Sequence, residues 1–200
     1  MSRTLARRAS AELAGTALLV AAVVGSGITA ARLSPDDVGL QLLENAIATA
    51  LALGALILMF GPVSGAHFNP VVSAVDWWLG RRDSTGLTGS DLAAYAIAQV
   101  AGAITGSVLA NIMFDLPVVE WSQAYRTGAN LWLAEVVATA GLVVLVFALA
   151  RSGRTAAAPA AVGAYIGAAY WFTSSTSFAN PAVTVGRAVT DTFAGIAPAS

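Results

Sequence analysis

Asparagine precedes proline twice in this chain, at Asn69-Pro70 and Asn180-Pro181, and the pairing has a specific chemical meaning. Asparagine is among the best helix N-caps, and proline suits the first helical position because its missing N–H would be unpaired there. Each pair therefore starts a helix. A capping asparagine spends its side-chain oxygen on the helix N–H groups and keeps its NH2 free to donate outward. The helix start itself carries roughly half a positive charge. Two such termini brought together would repel cations, orient a passing oxygen and discourage a continuous proton wire. One Asn-Pro alone would read as a turn; two at matching positions, each behind a Ser-bearing polar stretch, do not. Other chemistry-bearing residues are few. Glu12 and Glu135 sit early in apolar runs, His67 is the single histidine, and there is no cysteine. Thiolate ligands, disulfides, cysteine nucleophiles and multi-histidine metal sites are thereby removed, so no catalytic, cofactor or metal residue is assigned.

The elements that must hold these residues are those of an all-α membrane protein. Of the 200 residues 57% are hydrophobic and 10% charged, against about 25% charged in a soluble domain, and mean hydropathy is +0.73. The net charge of −1 leaves no basic excess for nucleic acid. All basic residues are arginine and alanine abounds, as in a GC-rich bacterial gene. A bilayer core about 30 Å thick needs about 20 apolar residues per helical span, and stretches at 9–31, 42–63, 92–114, 131–150 and 157–173 qualify. The first could also be read as a signal peptide, but Glu12 interrupts it and further spans follow. If every span crosses, Arg3, Arg7, Arg8, Arg81, Arg82, Arg151 and Arg154 share one side, the cytoplasmic side by the positive-inside rule. Asp36, Asp37, Asp115 and Glu120 then lie outside, and Trp77, Trp78, Trp121 and Trp132 fall at span ends as interface anchors.

Residues 64–79 and 173–191 each hold an Asn-Pro followed by about ten helix-compatible residues, too few to cross. Each follows the second span of a three-span unit, and residues 11–16 (AELAGT) are echoed by 134–139 (AEVVAT). This is an internal repeat: residues 1–114 form the first unit, with the half-helix at Asn69, and residues 128–200 the second, with the half-helix at Asn180. Because three spans is odd, the second unit is inverted, an arrangement that places permeation sites at the midplane between half-helices.

These features resemble the aquaporin and aquaglyceroporin family over almost the whole chain. Residues 64–71 (SGAHFNPV) are similar to the family's first signature, with Val71 where alanine is usual, and 178–183 (FANPAV) to its second. Tyr95, Gln99 and Gly102 match its third helix, and Glu12 and Glu135 its paired buried glutamates. The resemblance implies a passive channel for water and small uncharged solutes, with Asn69, Pro70, Val71, Asn180, Pro181 and Ala182 at the central constriction. Glu12, Glu135, His67 and Gln99 would support the extended loops. It implies a homotetramer in the lipid bilayer, multi-pass in a bacterial inner membrane with a cytoplasmic N-terminus, and no cofactor. Family spacing puts the outer filter at Thr49, Ala168, Ser177 and Val183. Val183 stands where the family usually has arginine, as in a subgroup associated with arsenic detoxification, which extends the expected solutes from glycerol to neutral arsenite and antimonite. Arg187 lies four residues further on, a rise of about 6 Å, and is not expected to replace that arginine.

Two further expectations concern packing and completeness. Gly102/Gly106 and Gly163/Gly167 place small residues four apart for close helix approach. Residues 192–200 cannot form the sixth span of the family, so the chain reads as a truncated, non-conducting fragment or as a bundle completed by a neighbour. A secondary transporter using Glu12 and Glu135 as proton sites, an intramembrane hydrolase and a membrane scaffold are the competing classes.

Overall fold

The computed structural model describes residues 3–200 apart from 82 and 84; among them there are helices and turns and no strand. Arg82 of the basic cluster expected between spans two and three lies outside the described residues. Helix α1 (Arg3–Leu33) returns through four residues into α2 (Val38–Ser64). The short α3 (Pro70–Gly80) precedes α4 (Gly89–Met113). After α5 (Ala129–Arg151), a 3₁₀ turn (Thr155–Ala157) leads into α6 (Ala158–Phe172), and α7 (Pro181–Arg187) follows.

The helix boundaries have local causes. Asp37 caps α2, accepting from the Leu40 amide, and Gly65 ends the helix in the left-handed region at φ 89°. Thr88 and Asp91 form a reciprocal capping box at the start of α4. Helices α1 and α4 run parallel. Arg8 Nη1 meets Asp91 Oδ2 at 3.5 Å at one end, and Arg32 Nη2 donates to the Phe114 carbonyl at 2.9 Å at the other.

Glycine sets how close the helices come. A Cβ on Gly102 would lie 2.4 Å from the Leu13 carbonyl oxygen, and one on Gly106 2.2 Å from that of Ala17, so only a bare backbone lets α4 seat on α1. Gly163 does the same for α6, where a Cβ would fall 2.6 Å from the Ala50 carbonyl oxygen of α2. Both small-residue pairs are thus used for packing inside one chain. Asn45 adds a polar tie between α2 and α1, donating to the Val23 carbonyl and to Ser26 Oγ, both at 2.8 Å.

The outward faces have no partner and are apolar. Leu51, Leu58, Ile97, Val136 and Val144 are each about two-thirds exposed or more, a surface that water would not tolerate in a monomer and hydrocarbon would. Trp78, Trp121 and Trp132 are also exposed, as interface anchors must be. Four helices, α1, α2, α4 and α5, are long and apolar enough to cross a membrane. The fifth expected span, α6, falls below that length. Helix α6 stands at the expected place but has 15 residues, a rise of about 22 Å, short of a hydrocarbon core of about 30 Å. Its ends explain the shortfall. Proline occupies its first turn, and Thr173 is already extended at ψ 141° as the chain departs toward Asn180. Residues 188–200 form turns paired with the α4–α5 connection, through Glu120 N to Val189 O, Ser122 N to Ala188 O and Ala197 N to Ala124 O.

Candidate functional site: a cavity between two capped half-helices

Both Asn-Pro pairs start helices as their chemistry requires. Asn69 is extended and its Oδ1 accepts from the Val71 amide at 2.9 Å; Asn180 Oδ1 accepts from the Ala182 and Val183 amides. The free NH2 groups do more than face a cavity. Asn69 Nδ2 donates to the Ala179 carbonyl of the other loop at 2.7 Å, and Asn180 Nδ2 donates to the Phe68 carbonyl at 2.7 Å. Each asparagine thus caps its own helix and ties down the opposite loop. An amide NH2 has two hydrogens, so one N–H on each remains for the cavity that both residues line.

The loops carry strain that needs holding. Ala66 and Phe68 have φ near +50°, as do Ser177 and Ala179, a conformation costing about 1–2 kcal/mol per non-glycine residue. The glutamates supply the grip. Glu12 is fully buried; its Oε1 accepts from Ser64 Oγ at 2.5 Å and the His67 amide at 3.0 Å, and its Oε2 from the Phe68 amide at 2.6 Å and Gln99 Nε2 at 2.8 Å. Glu135 accepts from the Phe178 and Ala179 amides at 3.0 and 2.7 Å. Tyr95 Oη donates to the Ser64 carbonyl at 2.6 Å, and His67 Nδ1 lies 3.1 Å from Ser73 Oγ. Neither Glu12 nor Glu135 lines the cavity, and their oxygens are occupied by loop donors, which weighs against a use as proton carriers.

The main cavity has a volume of about 700 Å³, and Thr49, His67, Asn69, Ser177, Asn180 and Val183 all line it. The lining differs from the expected set at three points. Pro70, Val71, Pro181 and Ala182 do not line it, because positions one and two after a cap rotate off the capped face; position three returns to it. The exposed faces therefore run Asn69, Val72, Asp76 on α3 and Asn180, Val183, Arg187 on α7, at i, i+3 and i+7. Ala168 is exposed on the outer side of α6; Val162, Ile166 and Tyr170 face inward at four-residue spacing, and Tyr170 Oη donates to Thr49 Oγ1 at 3.2 Å. Finally, Arg187 does reach the cavity. The rise of one turn carries it outward, but the rotation of that turn keeps it on the same face as Val183.

A second, smaller cavity of about 140 Å³ lies beyond the first, lined by Asn45, Arg126, Tyr170, Thr176 and Arg187 among others. Arg187 is buried, with its guanidinium carbon 3.8 Å from the Phe178 ring centroid and its Nε donating to the Ala194 carbonyl. Arg126 lies over the same ring at 5.7 Å and donates to the Gly195 and Phe193 carbonyls; burial pushes its pKa below the ordinary arginine value. Among the described residues the ion pair found is Arg8 with Asp91, so no carboxylate stands within 4 Å of either cation. Asp76, Tyr170, Arg126 and Arg187 were not singled out as site residues from the sequence. The i+3, i+7 spacing from each asparagine carries the signal for Asp76 and Arg187.

Residues 1–195 match the family model described as Major intrinsic protein. The chain belongs to the major intrinsic protein family. Among relatives in this family, it is 56% identical over 194 residues to "Aquaglyceroporin AqpS" of Rhizobium meliloti (strain 1021), covering 97% of this chain and 80% of that protein. It is 31% identical over 219 residues to "Glycerol uptake facilitator protein" of Pseudomonas aeruginosa, covering 94% and 75%. The fold resembles the X-ray structure of the aquaglyceroporin from Plasmodium falciparum, with TM-score 0.69 over 91% of this chain and 79% of the other at 20% identity. As a member of the major intrinsic protein family it is a multi-pass membrane protein, and the family's business is transport through a channel rather than catalysis.

Proposed function

We propose that this chain is a passive channel for water and glycerol-sized uncharged solutes, including arsenite and antimonite as their neutral hydroxides. One observation carries the reading. Two helix N-termini, each capped by an asparagine that also holds the opposite loop, meet on one cavity and leave an N–H from each asparagine to donate into it. Two positive dipole ends at one point disfavour cations, and fixed donors orient the oxygen of a neutral solute. Ser177 also lines the cavity, and its hydroxyl oxygen, itself buried, has no partner among the described residues. The names of the two relatives, an aquaglyceroporin and a glycerol facilitator, support glycerol as a solute.

The matching grips of Glu12 and Glu135 and the crossed asparagine bonds support residues 1–114 and 128–200 as two inverted repeats. Exposed apolar faces on α2 and α5 support a homotetramer with one pore per protomer. Arginine placement supports an N-terminus on the cytoplasmic side of a bacterial inner membrane. Stopped-flow measurement on proteoliposomes tests the reading. Swelling with glycerol and arsenite and shrinkage in an impermeant osmolyte are expected above the lipid background; water flux without either solute would refute the solute range, and no flux of any kind would make the chain a non-conducting scaffold.

A further inference from the structure

Asp76, both asparagines and Thr49 line the larger cavity; Asn45 and Arg126 line the smaller. Two residues, Tyr170 and Arg187, line both. They form the wall between the two spaces, and neither stands at a position that family spacing assigns to the outer filter. We infer that Tyr170 and Arg187 are the specificity-determining residues of this channel's outer constriction, displaced from the positions of Ala168 and Val183. The inference rests on the channel reading above and deepens it.

The chemistry follows from how each side chain is held. Tyr170 is almost fully buried and its hydroxyl hydrogen goes to Thr49, so its ring is fixed as a blade and its oxygen remains an acceptor. Arg187 is fixed by the Phe178 ring and the Ala194 carbonyl, and no other guanidinium N–H has a protein acceptor among the described residues. Arg187 lines both cavities, so those donors are the ones it can offer to a solute. A neutral solute with several hydroxyls can accept from Arg187 and donate to Tyr170 Oη in one step, whereas a cation meets a guanidinium that, among the described residues, has no carboxylate within 4 Å and has Arg126 behind it. The favoured class is therefore small neutral polyols and hydroxides. Cation exclusion here comes from Arg187, with Val183 supplying room.

The absence of cysteine in the chain allows a direct test in the full-length protein. Tyr170→Cys and Ala168→Cys, each carrying a unique thiol, are reconstituted and treated with a small neutral thiol-specific reagent. Glycerol flux is expected to fall at least fivefold in labelled Tyr170→Cys and to stay unchanged in labelled Ala168→Cys. If Tyr170→Cys does not yield folded protein by gel filtration, Thr49→Cys, its hydrogen-bond partner, takes its place with the same expectation. Arg187→Gln is expected to raise the glycerol-to-water flux ratio severalfold and to open a measurable potassium or proton leak, and Arg187→Lys to restore exclusion of the leak. Block of Ala168→Cys without block at Tyr170 or Thr49, or an Arg187→Gln protein with wild-type ratio and no leak, overturns the inference while the channel reading stands. A wild-type protein that conducts nothing overturns both.

Discussion

Replacing Glu12 by glutamine should unsettle the first loop about twice as much as the same change at Glu135 unsettles the second. The carboxylate of Glu12 accepts four hydrogen bonds, two on each oxygen, from Ser64, His67, Phe68 and Gln99. Glutamine keeps one oxygen and turns an NH2 toward the other two donors. A hydrogen bond to a charged group is worth about 1.5–3 kcal/mol, so two losses amount to roughly 3–6 kcal/mol. At Glu135 one acceptor faces the Phe178 amide and the other the Ala179 amide, and the loss is one bond, roughly 1.5–3 kcal/mol. Against a total stability of about 5–15 kcal/mol, the first is a large fraction. At about 2–4 °C per kcal/mol for a chain of this length, Glu12→Gln should lower Tm by about 6–24 °C and Glu135→Gln by about half as much. The five tryptophans give a fluorescence signal for thermal unfolding in detergent. A Glu12→Gln protein melting with the wild type, or above Glu135→Gln, would refute the claim that this carboxylate holds the strained loop.

Gly106→Leu puts a side chain where even a Cβ would be 2.2 Å from the Ala17 carbonyl oxygen; overpacking of this kind costs about 1–3 kcal/mol or more, and lower Tm with loss of monodisperse protein on gel filtration is expected. Asn180→Ala removes the cap of α7, about 1 kcal/mol, and leaves the Phe68 carbonyl without its donor; glycerol flux should fall and the pH gradient across proteoliposomes should decay faster than with wild type. Val183→Arg adds a second guanidinium on the face that already carries Arg187, and should suppress glycerol more than water in stopped-flow traces; equal suppression of both would mean general collapse of the passage.

Asn69 and Asn180 were legible because capping is local chemistry: the oxygen, the proline and the first helical amides are neighbours in sequence. The loop-holding role of Glu12 and Glu135 follows from the family resemblance, and the loop amides that each carboxylate gathers give it a physical reason: a carboxylate in an apolar run needs donors. The filter was less legible. Family spacing puts Ala168 at the filter, but the side that a helix shows to a cavity is set by rotation, and two residues of α6 turn Ala168 away from the stripe of Ile166 and Tyr170. The rise along α7 alone separates Arg187 from Val183, and only the rotation of the same turn brings it back to the cavity face. The shortness of α6 was hidden because its flanks, Ala156, Ala157 and Thr173, are themselves small or apolar enough to extend the hydropathic run past the point where the backbone leaves the helix.

The crossed asparagine bonds also make a timetable. Phe68 and Asn69 find their partners 112 and 110 residues later in the chain. At a synthesis rate of about 5–20 residues per second, the first loop waits roughly 5–20 seconds before residues 179 and 180 have even been made. During that interval Glu12, which precedes the loop in the chain, can already gather the His67 and Phe68 amides, so the first half is shaped in advance as a template. The second half arrives last and closes both at once, because each loop leaves open the one bond that the other's asparagine completes.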